Sequence, residues 1–147
     1  MKRIIQKTLL GIVLLTTTNL SAGQIIANIN CPLTKMVLSG QEVSVVKLKK
    51  IFEGKIDKCI DGNKISKFAL NENEPLMGAF AKNIFNIEAV ELFHMWSSLE
   101  ISQGIAKPTI VSTTNRMLRS ISNTNNSVGI VSDDTILPPN IIQIYKF

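Results

Sequence analysis

The sequence predicts an α/β fold in which a mixed β-sheet is flanked by helices. Short apolar or alternating stretches typical of strands lie at 24–30, 64–70, 128–131 and 141–147. Stretches with helical periodicity separate them, at 45–53, 75–85, 87–100 and 115–121. Clusters of Gly, Pro, Asn and Asp bound most of these stretches. Because strands alternate with helices, we expect the helices to cover the faces of one sheet.

The chain begins with a stretch typical of a signal peptide, which we place at 1–22. A basic start precedes a short apolar run at 9–15, and Leu20-Ser21-Ala22 provides a small-residue cleavage site. The apolar run is shorter than the roughly 20 residues that a membrane span needs. An uncleaved N-terminal anchor is the alternative. We expect residues 23–147 to form a single exported domain in the periplasm.

Net charge gives no indication of a nucleic-acid partner. The chain has 16 Lys and Arg residues and 11 Asp and Glu residues, but three of the cations and none of the acids lie in the predicted signal peptide. The remaining 13 cations and 11 acids leave a net charge of only +2. With one Trp, one Tyr and no long basic run, the sequence provides neither a stacking platform nor a phosphate-tracking stripe.

Cys31 and Cys59 are the two cysteines of the chain. In an oxidising compartment, two cysteines of a small exported domain usually pair, so we expect a Cys31–Cys59 disulfide. Two buried free thiols are the alternative. Two distant cysteines and the single histidine, His94, do not make up a metal ligand set. We therefore expect neither a metal nor a cofactor.

The first half of the chain predicts a strand, a helix and a second strand. Cys31-Pro32 ends the strand at 24–30, and an irregular loop to Gln41 follows. Ser44 is the predicted N-cap of the helix at 45–53, which Gly54 stops. A turn at Asp61-Gly62 then leads into the strand at 64–70.

The second half predicts three helices and further extended segments. Pro75 marks the first position of the helix at 75–85, and Gly104 ends the region of the helix at 87–100. An extended segment at 108–111 precedes a short helix at 115–121, which one of three hydroxyls caps. Asp133-Asp134 forms a turn after the strand at 128–131, and Pro138-Pro139 breaks the chain before the last strand.

Several motifs resemble those of phosphate-type substrate-binding proteins of ABC transporters. In that family a helix ends in IF-x-GK, a short loop leads to DG-x-x-I, and a strand follows. The matching residues here are Ile51-Phe52, Gly54-Lys55, Asp61-Gly62 and Ile65, with Cys59 where the family usually has Trp. Further matches are Phe80, Trp96, Gly104, Pro108 and the segment Val128-Gly129-Ile130-Val131. The resemblance implies one lobe of the type II periplasmic binding protein-like fold.

Two loops are candidate anion sites, because free N–H groups and the helix dipole favour anions where a strand leads into a helix. The first loop contributes Asn71 and Asn73, and the second contributes Ser112, Thr113 and Thr114. Helix capping is the alternative role of the three hydroxyls. In the family that this chain resembles, the first loop has an Arg and a Ser-Gly-Thr run. This chain has Glu72 and Glu74 there, which would repel phosphate.

The resemblance implies a non-enzymatic module that binds a small anion such as phosphate and contacts ABC transporter membrane subunits. The alternative is an envelope interaction or scaffold protein that has lost small-ligand binding. The sequence has no G-x-S-x-G motif, no metal cluster and no second histidine to indicate a hydrolase.

Overall fold

The computed structural model describes residues 22–147, so the predicted signal peptide lies outside the described residues except for Ala22. The strands of this range are β1 (Gly23–Asn28), β2 (Ser66–Ala69), β3 (Thr109–Ile110), β4 (Ser127–Ser132) and β5 (Ile141–Lys146). The helices are α1 (Pro32–Leu38), α2 (Val45–Phe52), α3 (Pro75–Phe80), α4 (Ala89–Gln103) and α5 (Thr114–Ser122). A π-helical segment, Ala81–Phe85, continues α3. No helix from residue 22 onward has both the length and the apolar content to cross a membrane.

The five strands form one mixed sheet in the order β3-β2-β4-β1-β5. β2 pairs in parallel with both β3 and β4, whereas β1 pairs antiparallel with β4 and β5. The register with β5 shifts between Ile25 and Ile26, which marks a β-bulge. The predicted fold class, a mixed sheet flanked by helices, is confirmed.

Helices pack against both faces of the sheet. A methyl group built on Gly129 of β4 would meet Met117 and Ile121, so α5 covers that face at close range. A methyl group on Gly23 of β1 would collide with Phe147 and Leu76, so α3 lies on the opposite face. Gly23 and Gly129 point to opposite faces because side chains alternate along strands and Gly129 pairs with Ile26.

An aromatic cluster joins the helices on the α3 side of the sheet. The ring of Phe80 makes edge-to-face contacts with Phe52, Phe85 and Phe147, at centroid distances of 4.9, 5.9 and 5.8 Å. Trp96 of α4 donates its indole N–H to the carbonyl of Phe52 at 2.9 Å, in a buried position. The motif residues Phe52, Phe80 and Trp96 therefore hold α2, α3 and α4 together.

The segment after Cys31-Pro32 is a helix, and the predicted irregular loop to Gln41 is wrong. Pro32 occupies the first helical position of α1, where its missing N–H costs nothing and its fixed φ favours the helix. Leu33 and Thr34 are buried, and the Thr34 hydroxyl donates to the carbonyl of Asn28 at 2.9 Å. Proline therefore ends β1 and also starts α1.

The other predicted elements are present, with shifted ends. Ser44 caps α2 as predicted, because its hydroxyl accepts from the Lys47 N–H at 3.2 Å. The helix predicted at 75–85 winds as an α-helix only to Phe80, and its π-helical continuation ends at Asn86 with a left-handed φ of 55°. α4 ends at Gly104, with a φ of 66°, as the sequence predicts.

Candidate functional site

Three parallel strands end at one side of the sheet, which we call the carboxyl edge. It comprises the loop 70–74 after β2, the loop 111–113 after β3 and the turn 133–134 after β4. The Val111 N–H donates to the Ala69 carbonyl at 2.9 Å, so the first two loops leave the sheet side by side. The structure thus brings both predicted anion loops to the same edge.

The loop after β2 places Asn71 and Asn73 at the surface. A turn forms there, since the Glu74 N–H donates to the Asn71 carbonyl at 3.0 Å. Glu74 is the N-cap residue of α3 without a capping hydrogen bond from its side chain, and Pro75 follows at the first helical position. Both asparagine amides are therefore exposed next to the start of a helix.

The loop after β3 contains the three predicted hydroxyl residues, all of them exposed. Thr113 is the N-cap of α5, and its hydroxyl accepts from the Arg116 N–H at 3.2 Å. Capping, the alternative raised for these residues, is thus the observed role of Thr113. Ser112 and Thr114 flank the cap, and a ligand role for all three residues stays a prediction.

The carboxyl edge has more negative than positive side chains. Glu72, Glu74, Asp133 and Asp134 are all exposed there, and Arg116 is the exposed cation of the first turn of α5. Asp134 is held in place because it accepts a hydrogen bond from Ser132 at 2.5 Å. The edge is open to solvent, which weakens the repulsion between these carboxylates and an anion without removing it.

The structure does not contain the predicted Cys31–Cys59 disulfide, because both residues are free cysteines. Cys31 is buried at the N-cap position of α1, and Cys59 lies half-buried in the loop before β2. The two thiols are close enough for each to influence the pKa of the other. Burial raises the pKa of Cys31, and burial together with the negative charge of a Cys31 thiolate raises the pKa of Cys59 to about 12. Since disulfide formation proceeds through a thiolate, the raised pKa values should slow the oxidation of both thiols.

A cavity of about 370 Å³ lies at the opposite side of the sheet, which we call the amino edge. It is a half-open cleft, lined by residues of the segments that lead into β2 and β3, by the first residues of these strands and by Gly54. Its ionisable lining residues are Asp57, Lys64, Lys67 and Lys107. Sequence patterns do not indicate this cleft, because Lys67 has the pattern of an ordinary exposed strand residue. The family motif glycines Gly54 and Gly104 were the available signal.

Within residues 22–147, no group of three or more His, Cys, Asp or Glu side chains is arranged to hold a metal ion. His94 is exposed on α4.

The sequence matches no protein-family model and no curated protein. Among solved structures, the fold is similar to a Clostridium perfringens protein described as a phosphate ABC transporter substrate-binding protein, with bound phosphate. That likeness has a TM-score of 0.62 and 14% identity, over 85% of this chain and 45% of that one. An ABC-type phosphate transport receptor from Vibrio cholerae gives a TM-score of 0.61 and 14% identity, over 85% and 47%.

A protein from Planctomyces limnophilus, described as a phosphate-binding protein, is also similar, with a TM-score of 0.51 and 12% identity over 78% of this chain and 37% of that one. The chain thus spans less than half the length of these structures. The resemblance that the motifs indicated is confirmed for the fold.

Proposed function

We propose that this protein is an exported, non-enzymatic binding module of the phosphate-receptor type. In this proposal residues 1–22 are removed on export and residues 23–147 form one domain in the periplasm. The ligand is a small oxyanion such as phosphate, bound at the carboxyl edge by Asn71, Asn73, Ser112, Thr113 and Thr114. The protein partner is the membrane subunit of an ABC transporter.

The parallel pairing of β2 with β3 is the observation that supports this proposal most strongly. It places two strand-to-helix loops at one edge of the sheet, where the hydroxyls and amides of both loops are exposed. The first N–H groups of α5 and its dipole add a positive potential at Thr113 and Thr114. Ligands of open α/β sheets bind at the carboxyl ends of strands.

The carboxylates of the carboxyl edge lower the affinity that we expect for an anion. At about 8 Å in a water-like medium, one carboxylate repels a monoanion by roughly 0.5 kcal/mol. An open site also leaves most of a small ligand's surface in water, in contrast to an enclosed pocket. We therefore expect weak binding by the isolated protein, with high affinity only when a second surface covers the edge.

Isothermal titration calorimetry with phosphate and with sulfate, on the purified protein at low salt, tests this proposal. Neutralising both acids of the first loop, Glu72→Gln with Glu74→Gln, should tighten phosphate binding roughly fivefold from the Coulomb estimate above. Ser112→Ala with Thr114→Ala should weaken it. The control Glu42→Gln removes an exposed charge in the loop before α2 and should leave the affinity unchanged. Absence of heat with both anions would exclude the oxyanion-receptor version.

The four exposed carboxylates favour one second candidate, an envelope interaction protein whose carboxyl edge binds a basic protein surface. This candidate predicts that cross-linking in the cell captures one defined partner. The complex should be lost in the Glu72→Gln, Glu74→Gln variant and kept in Glu42→Gln. Calorimetry and cross-linking therefore separate the two candidates, since the same substitutions strengthen anion binding and weaken partner binding.

A further inference from the structure

The cavity of the amino edge exists because β3 is shorter than its neighbour. β3 consists of Thr109 and Ile110, and its first residue pairs with Phe68. Lys67 pairs with Val128 on the β4 side, but the strand β3 does not extend far enough to lie beside Lys67. The loop 104–108 lies beside this gap instead, so β2 forms one wall of a cleft.

The side chain of Lys67 lies in this cleft. Its ammonium donates to the Ala106 carbonyl at 3.4 Å, which is a long hydrogen bond. A methyl group built on Gly54 would lie 3.7 Å from the same nitrogen, so the ammonium lies close to the backbone at the end of α2. Among the described residues, no carboxylate oxygen lies within 4.0 Å of Lys64 Nζ or Lys67 Nζ.

The cleft has more positive than negative charge. Three lysines, Lys64, Lys67 and Lys107, line it together with one acid, Asp57. Lys107 has a loose pairing with Glu100, at 3.9 Å and with both side chains about half exposed. Burial lowers the pKa of Lys67, and the nearby charge of Lys64 lowers it further. A bound anion would compensate this loss of hydration and this repulsion.

The remaining walls are apolar or backbone. Phe68 and Ile105 provide the apolar part, and Gly54 and Gly104 contribute backbone. One water molecule occupies about 30 Å³ of liquid, so a volume of about 370 Å³ is more than a bare inorganic anion fills. A ligand with an apolar body would use this surface.

We propose that the amino-edge cleft binds a small organic anion, a phosphate or carboxylate attached to an apolar body. Lys67 contacts the anionic oxygens, with Lys64 and Lys107 beside it, and Phe68 and Ile105 pack against the body. This site is separate from the proposed oxyanion site, because the two lie at opposite ends of the parallel strands β2 and β3.

Amide chemical-shift mapping of the purified ¹⁵N-labelled protein with phenyl phosphate as the probe tests this site. We expect shifts centred on the amides of Gly54, Gly104 and Ile105, and weaker binding at these amides for inorganic phosphate or phenol alone. Shifts confined to Ser112, Thr113 and Thr114 would overturn the proposal, as would no shift at the cleft. The cleft and the carboxyl edge are reported by different amides. A negative result at the cleft therefore leaves the proposed oxyanion site untouched, and the reverse also holds.

Lys67→Met should lower the affinity for phenyl phosphate at least tenfold, because it removes the inner ammonium and keeps the aliphatic chain. The control Lys82→Met removes an exposed lysine of the π-helical segment and should change the affinity less than twofold. If Lys67→Met does not fold, as judged by circular dichroism, the exposed Lys64→Gln provides the same test with an expected loss of about threefold. If Lys67→Met or Lys64→Gln lowers the affinity for phenyl phosphate no more than Lys82→Met does, the result would contradict a defined site. It would indicate only a general attraction between the anion and the positive charges of the protein.

Discussion

Two glycines of the loop region between α2 and β2 have nearly the same backbone conformation and very different surroundings. Gly54 has φ of +79° and Gly62 has φ of +81°, both in the left-handed region that disfavours side chains. A methyl group on Gly54 would collide with the side chain of Ile105, whereas one on Gly62 has no atom within 4 Å. The pair therefore separates backbone strain from crowding.

Gly62→Ala should cost about 1 kcal/mol of unfolding free energy from the backbone alone. Gly54→Ala should cost about 1–3 kcal/mol more, because Ile105 must move or the backbone must shift. Urea unfolding of both variants against the unchanged protein measures the difference. Equal losses of unfolding free energy in the two variants would show that the side chain of Ile105 does not crowd position 54.

Cys59 provides a second prediction for a single residue, since its pKa is raised to about 12. At pH 8 the reduced native protein should react with iodoacetamide at Cys59 at least tenfold more slowly than the protein in urea, because only the thiolate reacts. The folded state holds this proton more tightly than the unfolded state. The protonated Cys59 thiol therefore contributes fully to the free energy of unfolding below about pH 9. This contribution is lost as the pH rises towards 12.

Mass spectrometry of the alkylated peptides measures both rates. Cys31→Ala is the informative variant, since removing the neighbouring thiol removes one cause of the raised pKa and should speed the reaction of Cys59. Native and unfolded rates that agree within a factor of two would contradict the raised pKa of Cys59.

A buried hydrogen bond links α4 to α2, from Trp96 Nε1 to the Phe52 carbonyl at 2.9 Å. Trp96→Phe leaves that carbonyl without its donor and should lower the unfolding free energy by about 1–3 kcal/mol. Val90→Ala, at a position of α4 that is 48% exposed, should change it by no more than about 0.5 kcal/mol. Urea unfolding gives both values, and a loss no larger in Trp96→Phe than in Val90→Ala would show that the bond contributes nothing.

Helix and strand types were predictable where periodicity and caps agree. Ser44 before α2 and Gly104 after α4 gave correct ends, because an N-cap hydroxyl and a left-handed glycine are determined by local chemistry. α1 was missed because Pro32 is consistent with both the end of a strand and the start of a helix. The π-helical turn at Ala81–Phe85 has no sequence signal of its own, because the same apolar spacing suits an α-helix.

At the scale of the molecule, the sheet order explains how much of the site the sequence could predict. The loops with Asn71 and Ser112 were each recognisable as strand-to-helix junctions, but their meeting at one edge depends on the pairing of β2 with β3. The amino-edge cleft depends on the short length of β3, which no local pattern encodes. The disulfide prediction used compartment and composition, and so could not anticipate that burial raises the pKa of both Cys31 and Cys59.

The central claim is that the carboxyl edge is an oxyanion site built by the loops after β2 and β3. Titration of the ¹⁵N-labelled protein with inorganic phosphate, followed by amide chemical shifts, tests it most directly. The account predicts saturable shifts at Asn71, Asn73 and Ser112–Thr114, which lie on neighbouring loops. Saturable shifts elsewhere with none at these residues, or no shift at all, would contradict it.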